Sequence, residues 1–179
     1  MTTLIVAPVP RLDHGGTPLC RPLGPLKGKV VGLRRDNFWV SWDYVTDEWA
    51  KLLERDGAQS VIWRAPIGKG DKEAALGGEE YENFLGQIDA AVIGLCNCGS
   101  CTMWAVHDTA GALQRDIPTV TVCTEHFEPL VRMLANHRGY ANLRLKQLPY
   151  PLEGRSEPEV REIAQAHYGT LLETLGAVR

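Results

Sequence analysis

The sequence predicts an α/β fold in which a parallel sheet is covered by helices on both faces. The first reason is that short apolar runs alternate with segments of helical periodicity from residue 27 to residue 179. The second is the chain length, because 179 residues can bury one full hydrophobic core but are too few for two ordinary domains. The third is the composition of 44% hydrophobic and 23% charged residues, which is typical of globular domains.

The strands and helices follow from the local patterns. Apolar runs rich in β-branched and small residues predict strands at residues 29–33, 60–64, 89–95, 119–123 and 143–147. Apolar residues at helical spacing predict helices at residues 45–55, 78–86, 102–115, 128–136 and 157–175. Pro158 suits the first turn of the last helix, where a missing amide costs nothing. Residues 1–26 are rich in proline and predict an extended arm before the single domain of residues 27–179.

The order of the strands is restricted because parallel crossovers are right-handed. We therefore expect a single Rossmann-like or flavodoxin-like domain with strand order 2-1-3-4-5. Ligands bind such sheets outside the carboxyl ends of the strands at the switch point, between strands one and three. Those ends are residues 34–37 and 96–101, and residues 123–126 follow the neighbouring strand.

Charge and hydropathy narrow the class of partner. The net charge of −3 gives no reason to expect nucleic acid or an anionic membrane surface. Residues 1–10 lack the basic start of a secretory signal, and no apolar run approaches the roughly 20 residues of a membrane helix. We expect a cytoplasmic protein that acts on a small-molecule substrate. The proline-rich arm also suggests a homo-oligomer, or a hetero-oligomer with a related subunit.

Residues 96–102, the thiol loop, read Cys-Asn-Cys-Gly-Ser-Cys-Thr and hold three of the five cysteines. Cys98 and Cys101 form a Cys-x-x-Cys pair at a predicted helix start, where unpaired amides and the helix dipole stabilise a thiolate. We predict that Cys98 attacks and that Cys101 resolves the resulting adduct or sulfenic acid as a disulfide. Cys96 is a further candidate whose role stays open. Two small polar neighbours are candidate substrate contacts, Ser100 and Thr102.

A second cluster follows the fourth predicted strand and offers a thiol, a carboxylate and an imidazole. It consists of Cys123, Thr124, Glu125 and His126. Glu125 or His126 could move the proton that thiol chemistry needs, and Thr124 could contact substrate. His107, in the helix after the thiol loop, is either a further acid-base group or an ordinary helix histidine.

The end of the first strand supplies candidate substrate contacts at Arg34, Arg35, Asn37 and Trp39. Arginine binds carboxylates through two parallel hydrogen bonds. The aromatic residues that follow could either line a pocket or pack under the next helix.

A metal site competes with thiol catalysis. Cys96, Cys98 and Cys101, with His107 or His126, could supply four ligands. Their spacing differs from the two separated pairs of common structural zinc sites, so metal binding is the weaker interpretation. The corresponding function is a thiol metal-binding or redox-sensing module that needs a partner chain. A thiol reductant or a metal ion is accordingly the expected cofactor type, and neither is certain.

The motif at residues 98–102 resembles that of the UGSC proteins, which are named for a selenocysteine-Gly-Ser-Cys motif that many members carry with cysteine. The similarity continues through residues 26–33, 117–120, 123–125, 127–130 and 149–152, and includes Trp104, Val106, His107 and Asp108. This resemblance implies a Rossmann-like single domain and a redox or nucleophilic role for Cys98. The chain departs from the family pattern at residues 38–42, Phe-Trp-Val-Ser-Trp, which implies a more aromatic pocket.

Two weaker resemblances imply different reactions. Residues 98–102 are similar to the motif of the substrate-activating subunits of glycine and proline reductases, which implies reductive cleavage of a carbon-heteroatom bond. Residues 95–97 and 123–124 resemble the two cysteine signatures of the aspartate/glutamate racemase superfamily. That likeness implies a racemase, isomerase or decarboxylase in which Cys96 and Cys123 transfer protons.

Overall fold

The computed structural model describes residues 20–66 and 71–179, and within them the side chains of all but residues 71–77. Its main sheet has five strands, all parallel. From edge to edge they are Gln59–Arg64 (β3), Val30–Arg35 (β2), Ala90–Cys96 (β4), Thr119–Thr124 (β5) and Arg144–Leu148 (β6). This order confirms the predicted 2-1-3-4-5 arrangement, with the switch point between β2 and β4.

Helices cover both faces of the sheet. The helices are Val40–Arg55 (α1), Asp71–Leu85 (α2), Gly99–Gln114 (α3), Glu128–His137 (α4) and Glu157–Leu175 (α5). One core cluster joins α1 and α5 to one face, and a second joins α2, α3 and α4 to the other. Among the described helices, none is both long and apolar enough to cross a membrane.

Several elements are longer than the sequence pattern predicts. The first helix starts at Val40 rather than residue 45, and α2 starts at Asp71 rather than residue 78. The two consecutive glycines at residues 77–78 obscured that start, because glycine lowers helix propensity. Strand β2 continues through Arg35, since its pairing with β3 extends to that residue. This extension places Arg34 and Arg35 inside the sheet rather than in the loop that follows it.

The described part of the predicted arm is packed against the body. Residues 1–19 lie outside the described part of the chain. Leu23 and Leu26 are buried in the core cluster beneath α1 and α5. Between them, Gly24–Pro25 (β1) pairs in parallel with Ala177–Val178 (β7), a two-stranded sheet that the sequence did not predict.

Two tryptophans of α1 pack near β4, the strand that leads to the thiol loop. Trp42 and Trp49 of α1 are fully buried with ring centroids 5.6 Å apart in an edge-to-face arrangement. The indole nitrogen of Trp42 donates to the carbonyl of Arg34 at 3.0 Å. A Cβ on Gly94 would lie only 2.7 Å from the Trp42 ring. Glycine at position 94 therefore lets β4 approach α1 closely, just before the thiol loop.

Candidate functional site

Four neighbouring strands, in the order β3, β2, β4 and β5, end at the carboxyl edge of the sheet. Side-chain hydrogen bonds tie the strand ends together, because Thr124 Oγ1 donates to Asn97 Oδ1 at 2.8 Å and Asn37 Nδ2 donates to the Ala65 carbonyl at 2.9 Å. Thr124 and Asn97 are both buried. The ends of β4 and β5, which carry the predicted reactive residues, are thus held together as one unit.

The Cys-x-x-Cys pair lies at the start of α3. Cys98 is the residue that caps the helix, and its sulfur accepts the Cys101 amide at 3.1 Å. Thr102 Oγ1 donates to the Cys98 carbonyl at 2.6 Å, which fixes the first turn. Cys98 and Cys101 are joined as a disulfide. When the pair is reduced, the same amide and the helix dipole favour a thiolate on Cys98.

The two sulfurs of this pair differ in exposure. Cys98 is half-buried, and the next two residues, Gly99 and Ser100, are exposed. Cys101 is only 3% exposed. The Ser100 hydroxyl lies 3.5 Å from the Cys98 sulfur. A molecule that approaches from solvent therefore meets Cys98 first and Cys101 behind it.

Cys96 and Cys123 form an inner thiol pair. They are register partners on β4 and β5, both have no exposed surface, and both belong to the core cluster under α2, α3 and α4. Burial raises the pKa of the Cys123 thiol to about 12. Burial, and next the neighbouring Cys123, raise the pKa of Cys96 still further. Neither thiol is ionised to a useful extent near neutral pH.

Arg34, a predicted substrate contact, is 2% exposed and bound inside the protein. Its Nε donates to Asp108 Oδ2 of α3 at 2.9 Å, and its Nη1 donates to the Gly94 carbonyl of β4 at 2.9 Å. The side chain therefore bridges the strand and the helix on either side of the thiol loop. With these donors occupied, the structure places Arg34 as an internal brace rather than on the substrate side.

The other candidates from the first strand also make internal contacts. Arg35 points toward α1, where it pairs with Asp47 and donates to the Asp43 carbonyl. Asn37 links β2 to β3 as described above. Trp39 is half-buried and packs against the core beneath α1 and α5. The structure does not bring these side chains to the disulfide.

Glu125 and His126 lie in a short 3-10 turn, Glu125–Phe127, directly after β5. Both side chains are exposed at the carboxyl edge. The His126 ring stacks on Tyr150 with centroids 4.9 Å apart. The sequence analysis did not name Tyr150 as a site residue. Its ring lies beside His126 at the carboxyl edge of the sheet.

His107 lies farther along α3. The helical rise places it roughly 13 Å along the axis from Cys98. Its Nδ1 is 3.4 Å from Asp108 Oδ1, and its side chain is 54% exposed. The structure does not bring His107 to the thiols, so its position is that of a surface histidine on the helix.

Two buried carboxyl groups at the site were missed. Asp36 follows β2 and is 5% exposed, while Asp108 lies on the sheet-facing side of α3 and is 3% exposed. A signal was present, because Arg34 directly continues the apolar run of β2, and a charge in a buried strand requires a partner. The sequence could not identify which acidic residue would supply it.

The metal alternative receives no support from the arrangement. Within residues 20–66 and 78–179, no group of three His, Cys, Asp or Glu side chains could hold a metal ion. Of the three proposed thiol ligands, Cys98 and Cys101 are bonded to each other and Cys96 lies in the core.

Comparison with known proteins supports the family resemblance of the motif at residues 98–102. No curated protein matches the sequence. The model of the UGSC family matches residues 4–177, which is almost the whole chain. The match therefore extends over the sheet, the thiol loop and the closing helix, and the chain belongs to the UGSC family.

Proposed function

We propose that this protein is a thiol-dependent enzyme, an oxidoreductase or lyase, in which Cys98 attacks a small organic substrate and Cys101 resolves the adduct. The observation that carries the proposal is the paired placement of the two sulfurs. The half-buried Cys98 accepts a helix amide at 3.1 Å, and the buried Cys101 is bonded behind it. This arrangement suits a nucleophile followed by a resolving thiol.

The favoured reaction is the reductive cleavage of a carbon-heteroatom bond. The Cys98 thiolate attacks carbon, forms a carbon-sulfur bond and expels the heteroatom with its electron pair. The Cys101 thiolate then attacks the Cys98 sulfur, so that the disulfide forms and the carbon leaves with the electron pair of the broken bond. That carbon takes a proton. Two thiols are oxidised, the substrate is reduced by two electrons, and an external thiol reductant restores the pair.

The surroundings indicate a class of substrate. The departing carbon must carry a negative charge, which requires an adjacent carbonyl or a similar electron-withdrawing group. Exposed apolar side chains lie on loops and helix starts at this edge, namely Phe38, Val40, Met103 and Tyr150. These residues suit a substrate with an apolar or aromatic part. Glu125 and His126, which are exposed at the same edge, can exchange protons with solvent.

The inner thiol pair does not suit racemase chemistry. Such a reaction needs two thiols on opposite sides of a substrate carbon. Cys96 and Cys123 instead lie side by side on adjacent strands, without exposed surface and with raised pKa values. This arrangement leaves no visible place for a substrate between them.

Trapping of the intermediate tests the proposed function. Reduced Cys101→Ser protein should form a stable one-to-one adduct with activated carbonyl compounds that carry a leaving group, and the added mass should map to Cys98. The unaltered protein should instead release the reduced compound and end as the disulfide. Cys98→Ser is the matched control and should form no adduct. Turnover in Cys98→Ser, or an adduct that maps mainly to another cysteine, would contradict the proposal.

A further inference from the structure

The two edge strands of the main sheet differ in how they are protected. Strand β6, at one edge, carries Arg144 and Lys146. Arg144 donates to the backbone carbonyls of Cys20 and Arg21, which therefore lie against this strand. Lys146 is buried and donates to Thr170 of α5. Charged side chains, including inward-pointing ones, keep an edge strand from pairing with another chain, so the β6 edge is protected.

Strand β3, at the other edge, lacks these protective features. Its sequence, Gln-Ser-Val-Ile-Trp-Arg, contains no proline and a single charge, at Arg64. The Ile62 side chain is 45% exposed. Among the described residues, no strand pairs with the outer side of β3. A strand of this kind presents a row of unpaired backbone groups to which a further strand can be added.

The hydrogen bonds of β3 show which of its backbone groups face outward. The amides of Gln59 and Ala65 donate to carbonyls on the β2 side, at 2.8 and 2.9 Å. Successive residues of a strand direct their backbone groups to opposite sides. The amides and carbonyls that point away from the sheet are therefore those of Ser60, Ile62 and Arg64.

An apolar groove lies beside this edge, between β3 and α2. Val61 and Trp63 are partly buried and pack against the core cluster under α2, α3 and α4. The Trp63 ring lies 4.9 Å from the Tyr81 ring and 5.8 Å from the Phe84 ring, between centroids. The groove has a volume of about 310 Å³, and its lining includes Val61, Trp63, Phe84 and Gln87. The unpaired backbone and the aromatic groove thus form one continuous surface.

We propose that a second copy of this chain pairs with the β3 edge in antiparallel orientation, about a two-fold axis at Ile62. The outward amide and carbonyl of Ile62 then bond to those of the same residue in the other copy. Ser60 of each copy pairs in the same way with Arg64 of the other. Every outward backbone group from residue 60 to residue 64 thereby gains a partner.

This register suits an interface between two identical surfaces. Each Val61 opposes Trp63 of the other copy, and an aromatic residue opposite a β-branched one is a favourable cross-strand pair. Both side chains lie on the groove side, so the Trp63 ring of one copy extends the apolar lining of the other copy's groove. Each Arg64 opposes Ser60 rather than another cation, and it remains paired with Asp43 of α1. No like charges face each other across the axis.

The pairing also fixes where the two thiol loops lie. In an antiparallel pair the strands of the two sheets run in opposite directions, so the carboxyl edges lie at opposite ends of the dimer. Each thiol loop therefore remains open to solvent, and the dimer is independent of the thiol chemistry proposed above.

Sedimentation velocity of the full chain tests the pairing. At about 100 μM the unaltered protein should have twice the chain mass of 19.8 kDa, since a dissociation constant of about 1 μM or below leaves little free chain. Ile62→Lys places two ammonium groups at the axis and should weaken the dimer at least about a hundredfold. Met133→Lys is the matched control, because Met133 is 59% exposed on α4, and it should leave the dimer intact.

Hydrogen exchange of the unaltered protein gives a second measurement that does not depend on how a variant folds. The amides of Ser60, Ile62 and Arg64 should exchange more slowly as the protein concentration rises. A monomer at about 100 μM, or a dimer that persists in Ile62→Lys or is lost equally in Met133→Lys, overturns the proposal. So does protection of these amides that is the same at every concentration, which would mean that another segment of the same chain covers the edge.

Discussion

Two pairs of cysteines lie close together at one edge of the sheet, yet their environments are opposite. Cys98 and Cys101 stand at the start of a helix, with one sulfur half-buried and bound by a backbone amide. Cys96 and Cys123 lie at the ends of adjacent strands and have no exposed surface. A shift of two residues along the chain, from Cys96 to Cys98, thus separates a core thiol from a candidate nucleophile.

The difference shows that position relative to the strand end matters more than the presence of a thiol. Within the strand, burial favours the neutral thiol. Beyond the strand, the first amides of α3 are free to bind an anion, and they favour the thiolate. A cluster that looks uniform in sequence therefore contains two kinds of sulfur.

The largest expected effect is a difference in labelling rate between the two pairs. In reduced, folded protein at pH 7, Cys98 should react with iodoacetamide at least about a thousandfold faster than Cys123, because a thiol with a pKa of about 12 has far less thiolate than an ordinary one. Time-resolved mass spectrometry measures both rates. In guanidinium chloride all five cysteines should label alike. If the alkylation rates of Cys98 and Cys123 in the folded protein lie within tenfold of each other, the two thiols do not differ in reactivity as proposed.

Loss of Arg34 should strongly destabilise the protein. Arg34→Met leaves the buried Asp108 without its cation and should lower the free energy of unfolding by about 3 to 5 kcal/mol. Urea unfolding measures the change. Arg132→Met, which removes one member of an exposed pair with Glu128, should cost at most about 1 kcal/mol. Equal effects of the two substitutions would show that Arg34 does not brace the thiol loop.

A smaller effect is expected at the inner pair. Cys123→Ala removes a buried sulfur from the core cluster and should lower the free energy of unfolding by about 1 kcal/mol. The labelling rate of Cys98 should remain within about twofold of the original value, since Cys123 is assigned no part in its chemistry. A large drop in Cys98 reactivity with unchanged stability would make Cys123 part of the reactive site.

The smallest effect concerns a carboxyl group at the opposite edge of the sheet. The Val30 amide, and then Lys29, lower the pKa of Asp89, opposed by partial burial. Its contribution is therefore present above the unfolded pKa of about 3.9 and is lost as pH falls through the lower folded value. Asp89→Asn should cost less than about 1 kcal/mol at pH 7, after allowance for solvent screening, and the cost should shrink as the pH falls below about 3.9. A cost that stays constant as the pH falls would show that charge is not its origin.

Much of the fold was predictable because it depends on local patterns. Alternating strands and helices gave the parallel sheet, and the handedness rule gave its order. The last helix has the predicted bounds because Ser156 and Glu159 form a capping box at its start and Gly176 ends it with a positive φ. The pairing of β1 with β7 was not predictable, since two-residue strands have no periodicity of their own.

The site was predictable only in part. Residues 98 and 101 are placed by a local motif, and the structure keeps them at a helix start. The partner of Arg34 is 74 residues away, at Asp108, and such a contact depends on helix packing rather than on sequence pattern. For the same reason, the sequence did not show that Arg34 faces the core, or that His107 is too far along α3 to meet the thiols.

The most direct test of the central claim is the pH dependence of Cys98 alkylation in the reduced protein. If the start of α3 activates Cys98, the midpoint of its rate profile should lie below the ordinary thiol pKa of about 8.5. The Cys101→Ser protein should keep that low midpoint, because the Cys101 amide remains in place. A midpoint at or above about 8.5 in both proteins would contradict the account of Cys98 as an activated nucleophile.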